Sequence, residues 1–131
     1  MIRKSLSAIT VIALGFGMTG CSGFKANAED CKSILVYVDE VNSLIDATTA
    51  KISDSSYRRA GARLWSEKLD ELERDVKPRE EQLQEALADW VSNSRAVADA
   101  IQPNSMDTRA LNEAADAFQA SNVVLGNMCS N

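Results

Sequence analysis

The chain has 131 residues, 14 basic against 19 acidic side chains, a formal net charge of −5 and no histidine. The acidic balance excludes a duplex-binding protein, because affinity for nucleic acid rests on clustered Lys and Arg. The missing histidine excludes imidazole-activated nucleophiles, imidazole acid–base catalysis and histidine-ligated metals, including the Glu-x-x-His pairs of di-iron bundles.

The first element is a leader. Arg3 and Lys4 precede an apolar run from Leu6 to Met18, interrupted by Ser7, Thr10, Gly15 and Gly17, and no acidic residue occurs before Glu29. A short positive segment, a short apolar run and then small residues form the pattern of a secretory signal peptide. The run has about 13 residues, well under the roughly 20 that a membrane-spanning helix needs. It ends in Met18-Thr19-Gly20-Cys21, which resembles the lipobox of bacterial lipoproteins, usually Leu-Ala/Ser-Gly/Ala-Cys. Met18 departs from the usual leucine but is apolar and of similar volume.

The resemblance covers residues 1–21 alone. It implies diacylglyceryl transfer to the Cys21 sulfur, cleavage before Cys21, and acylation of the new amino group. The membrane is then a partner through the acyl chains, each buried methylene contributing about 0.8 kcal/mol. The implied location is exported, on the bacterial cell membrane or outer membrane, facing the periplasm or the cell exterior. Residues 1–20 form the signal peptide, 21–28 the lipidated cysteine and tether, and 29–131 a single helical domain. A seven-residue tether reaches at most about 25 Å.

Loss of residues 1–20 leaves 111 residues, and without Arg3 and Lys4 the mature chain carries 12 basic against 19 acidic side chains, a net charge of −7. Such a domain does not adhere to anionic lipid by charge. In an exported chain the remaining cysteines, Cys31 and Cys129, are expected to form one disulfide. Closing a loop of about 100 residues is worth about 4.7 kcal/mol in the chain-entropy model. No Cys-x-x-Cys spacing points to redox catalysis.

Four helical segments follow. The first spans about 27–53, with Asn27 as its start signal and a seam of Cys31, Ile34, Val38, Val41, Ile45, Thr48 and Ile52 at alternating spacings of three and four. The second spans about 56–76, with a face of Gly61, Leu64, Trp65, Leu69, Leu72 and Val76. The third spans about 78–102, with a seam of Leu83, Leu87, Trp90, Ser94, Val97 and Ile101 and with Val91 beside it. The fourth spans about 107–125, with Leu111, Ala115, Phe118, Asn122 and Leu125, and Gly126 as its stop.

Pro78 governs the topology. A proline inside a helix costs about 3 kcal/mol and biases the residue before it away from helix, which favours a turn at Lys77-Pro78 and a new helix beginning at Pro78. The heptad spacing also runs through from Val76 to Leu83, so the alternative is three helices with one long Pro-kinked central helix. The cysteines fit both. In an up-down bundle the two chain ends lie together, where Cys31 can reach Cys129. With a double-length central helix both cysteines return to its midpoint, but that shape is elongated and buries less surface. The expected fold is therefore an all-α antiparallel four-helix bundle.

Little in this chain can do chemistry. No Gly-x-Ser-x-Gly, phosphate-binding loop, dinucleotide fingerprint or Cys-x-x-Cys-His occurs, and no cofactor is expected. Glu67 with Glu71 and Glu81 with Glu85 stand one turn apart, but their basic neighbours read as a solvated mixed-charge surface, and no metal site is expected. Arg58, Arg59 and Arg63 cluster at the start of the second helix and could meet an anionic group or pair with Glu67. Trp65 and Trp90 occupy seam positions. The small residues Gly61 and Ser94 near them serve close packing or leave a pocket for an apolar ligand. Asn122 is expected to fix helix register. The functional expectation is a non-enzymatic binding or scaffolding module with an envelope protein as partner. The alternative is a carrier or sensor of small apolar ligands.

Overall fold

The computed structural model describes residues 26–129, which form four helices and no strand. They are α1 (Ala28–Ala50), α2 (Ser55–Asp75), α3 (Glu81–Ala100) and α4 (Thr108–Cys129). Short polar side chains set three of the four starts. Asn27 accepts from the Glu29 and Asp30 N–H groups, Asp54 from that of Tyr57, and Asp107 from those of Arg109 and Ala110. Each satisfies donors that a helix start leaves without intrahelical partners. At α3 the Glu80 carboxylate instead accepts from the Asn27 N–H at 2.8 Å, tying the starts of α1 and α3 together.

The chain runs up-down-up-down. α1 packs along α2, α2 along α3, and α3 along α4. The Cys31–Cys129 disulfide joins the start of α1 to the end of α4, with Cα atoms 5.3 Å apart. One end of the bundle, the base, thus holds both chain ends and the connection 76–80. The other end, the tip, holds the connections 51–54 and 101–107.

The periodic seams are the core. Cys31, Ile34, Val38, Val41, Ile45 and Thr48 of α1 are buried, as are the seam residues expected in α3 and α4. Trp65, Trp90 and Phe118 are the largest fully buried side chains. Burying about 200 Å² of tryptophan contributes about 5 kcal/mol at 25 cal/mol per Å². Trp90 and Phe118 also meet as a tilted ring pair, with centroids 5.4 Å apart and 55° between planes.

The structure corrects the expected boundaries in three places. Residues 76–80 leave the helical path, with Val76 extended, which rules out the kinked central helix. α3 begins at Glu81 rather than at Pro78, and Pro78 is buried in the connection with its carbonyl accepting from Gln84 Nε2. Gly126 does not end α4, which continues to Cys129. The disulfide and the burial of Cys129 offset the roughly 1 kcal/mol that a helical glycine costs. Leu64 is 54% exposed, and Ala62 and Arg58 take the inward positions three and seven residues before Trp65.

Candidate functional site

Three polar arrangements hold the helices in register, and each uses side chains projected from neighbouring helices. At the centre, Trp65 Nε1 donates to Ser94 Oγ at 2.7 Å, joining α2 to α3, and Trp90 Nε1 donates to Asn122 Oδ1 at 3.0 Å, joining α3 to α4. Asn93 Nδ2 also donates to Ser121 Oγ across the α3–α4 seam. Both indole donors are therefore satisfied inside the bundle, which a buried N–H requires if it is not to cost about 1–3 kcal/mol.

These bonds bear on the pocket expected at Gly61, Trp65, Trp90 and Ser94. The two tryptophans and Ser94 are fully buried against one another's elements. Beside Gly61 the structure places Thr48. A Cβ added at Gly61 would lie 2.2 Å from Thr48 Oγ1, and that hydroxyl donates to the Leu44 carbonyl. The small residues here serve close approach of helices, with α1 and α2 interlocked at Thr48 and Gly61.

At the tip stands a residue whose role the sequence concealed. Arg58 is 3% exposed. Its guanidinium donates to four carbonyls: Ile101 through Nε, Ile52 through Nη1, and Pro103 and Asn104 through Nη2. Those carbonyls end α1 and α3 or belong to the connections that follow. The partial negative charge at two helix C-termini compensates a buried cation that has no carboxylate partner among the described residues. Arg58 is thus unavailable to an external anion. Arg59 Nη1 donates to Asn104 Oδ1 at 2.7 Å.

The outer face of the α1–α2 hairpin carries the densest surface network. Lys68 Nζ lies 2.9 Å from Glu40, 3.4 Å from Glu71 and 5.9 Å from the centre of the Tyr37 ring. The Tyr37 hydroxyl donates to Asp75 Oδ2 at 3.0 Å. That bond to a carboxylate holds the Tyr37 phenol above its ordinary range, and the bond to Glu40 raises Lys68 in the same way. Beside this network, toward the base, opens a groove of about 580 Å³ lined by Asp30, Ser33, Val36, Tyr37, Asp75, Val76 and Lys77. Its carboxylates are engaged, Asp30 with Arg79 and Asp75 with Tyr37 and Arg74. On the far side of α2, Arg95 bridges to Asp70 and Glu73. Burial pulls the Arg95 guanidinium down, while the bonds to those two carboxylates outweigh it and raise it.

Of the carboxylates considered for a cation, Glu71 is paired with Lys68. Among the described residues no group of three or more Cys, Asp or Glu side chains is placed to hold a metal ion, and no helix is long and apolar enough to cross a membrane. Cys21, the expected lipidation point, lies outside the described residues. The first described residue, Ala26, donates its N–H to the Met128 carbonyl at 3.0 Å, so the chain enters the bundle at the base.

Residues 21–130 of the chain match the family model of the Rv2240c four-helix bundle domain. The chain belongs to this family. No curated protein and no solved structure matches it.

Proposed function

We propose that the chain is an exported bacterial lipoprotein, anchored through Cys21 and presenting its bundle as a non-enzymatic binding or scaffolding module in the cell envelope. The observation that carries this reading is the tripartite leader ending in Met18-Thr19-Gly20-Cys21. Two further observations support it. The family match begins at residue 21, where the mature chain would begin. The domain also closes on a disulfide, a bond that persists in oxidising compartments.

Anchoring sets the geometry of action. Ala26 and Asn27 are tied to Met128 and Glu80, which leaves five residue steps from Cys21 to the pinned backbone, at most about 18 Å. The base then faces the bilayer and the tip points away, about 35 Å off for a 23-residue helix standing upright. The partner is an envelope protein that meets the exposed flank of the bundle, and the α1–α2 hairpin, with Leu35, Val36, Tyr57 and Leu64, carries most of the exposed large hydrophobic side chains among the described residues.

Metabolic labelling with a fatty-acid analogue tests the anchor. The wild type should be labelled and Cys21→Ser should not, with the variant released from the membrane fraction. An unlabelled wild type defeats the reading. Crosslinking in intact cells then identifies the neighbour on the α1–α2 face.

A further inference from the structure

The four seams of the bundle are closed by different means. α1 and α2 interlock at Thr48 and Gly61 and are pinned by Lys68–Glu40 and Tyr37–Asp75. α2 and α3 are joined by Trp65–Ser94 and by Arg95 with Asp70 and Glu73. α3 and α4 share Trp90–Asn122, Asn93–Ser121 and the Trp90–Phe118 ring contact. At the tip, Arg58 binds carbonyls from both inter-helix connections and so holds the two hairpins together there. The α1–α4 seam has a different construction. The backbones of α1 and α4 approach within 8 Å at the disulfide and scarcely elsewhere. Among the described residues no ion pair joins α1 to α4. The Ala26–Met128 backbone bond lies at the same end as the disulfide.

From this asymmetry we infer that the Cys31–Cys129 disulfide is a clasp: its reduction opens the bundle along the α1–α4 seam, with the α2–α3 pair as the spine and the Arg58 cluster as the fixed tip. The other three seams keep their own clamps and stay closed. Both cysteines are buried in the closed bundle, so an attacking thiol reaches the pair when the last turn of α4, which Cys129 ends, opens. The co-reactant is a protein or small-molecule dithiol. Its thiolate attacks one sulfur of the pair to form a mixed disulfide and expel the other as a thiolate. Its second thiol then displaces the remaining cysteine. The dithiol leaves oxidised, two electrons and two protons having passed to Cys31 and Cys129. Opening uncovers the apolar residues one and two turns from the clasp, Ile34 and Val38 on α1 and Leu125 on α4, all buried in the closed bundle.

The inference does not depend on the lipid anchor. It is tested on the otherwise full chain carrying Cys21→Ser, which leaves only the clasp pair, with dithiothreitol as the reductant. Carbene labelling of the folded protein is compared before and after reduction, with helix content followed by circular dichroism. Labelling of Ile34, Val38 and Leu125 should rise several-fold, while Trp65, Leu69 and Val91 on the spine stay protected, tryptophan emission stays that of buried indole, and helix content holds. The Cys31→Ser/Cys129→Ser double variant should show the same pattern without reductant. A uniform rise at all six residues means that the bundle unfolds as one unit, and an unchanged pattern means that packing alone closes the seam. Either result overturns the clasp.

Discussion

Replacing Arg58 by methionine removes a group that binds both tip connections at once. Methionine fills much of the same volume and restores some apolar burial, so the loss is chiefly that of four charge-assisted hydrogen bonds. Bonds to a charged group are worth about 1.5–3 kcal/mol each, but they act on one guanidinium and do not add. Water replaces the donors at Ile52, Pro103 and Asn104, whose bonds are only partly buried, whereas the Ile101 carbonyl sits in a buried contact. Desolvation of the arginine is also relieved, which offsets part of the cost. The net destabilisation works out at about 3 kcal/mol, and Arg58→Lys should cost about half of that, since an ammonium reaches one or two of the carbonyls but lacks the planar fork. Urea unfolding followed at 222 nm measures it. With an m-value near 1.5 kcal/mol per M, the midpoint falls by about 2 M in the methionine variant and about 1 M in the lysine variant. A methionine variant as stable as the wild type would refute the view that the tip depends on this cation.

The other predictions concern single contacts. Gly61→Ala should lower the melting temperature and cost about 1–3 kcal/mol through the clash with Thr48, opposite in sign to the roughly 1 kcal/mol that helix propensity alone would add, and Thr48→Ala in the same chain should recover most of it. Ser94→Ala should cost about 1–3 kcal/mol by stranding the Trp65 N–H in the core, read as a drop in the urea midpoint together with a changed tryptophan emission. The phenol of Tyr37 and the ammonium of Lys68 both titrate higher in the folded state than in the unfolded chain, Tyr37 through Asp75 and Lys68 through Glu40. Both therefore stabilise the fold in full below about pH 10 and lose that contribution as the pH rises through the folded values. Melting temperatures from pH 9 to pH 12 should fall less steeply in Tyr37→Phe than in the wild type.

The helices were legible because their apolar residues repeat at threes and fours without interruption. In α1, α3 and α4 every interior seam position that the pattern marks is buried. The bundle topology followed from Pro78, which favours a turn, and from the larger surface that four helices of similar length bury when the two cysteines meet at one end. The pattern failed in α2, where position 58 is an arginine and position 62 a small alanine. A charge read as surface concealed a buried residue, and Leu64 looked apolar enough to take the place. Periodicity did mark the error, since Arg58 lies seven residues before Trp65 on the same face. Gly126 misled for the converse reason. A helix stop signal is local, while the disulfide that holds α4 in helix to Cys129 depends on a residue at the other end of the domain. The Trp65–Ser94 and Trp90–Asn122 bonds needed side-chain geometry, although both polar partners stood on the expected seams.

The join between Cys31 and Cys129 also makes the whole helical domain one covalent ring, interrupted nowhere between its first helix and its last. A protease that cuts once in 51–54, 76–80 or 101–107 opens that ring into a line and sheds no fragment. The nicked molecule gains the mass of one water, its two pieces stay joined through the disulfide, and a reducing gel separates them.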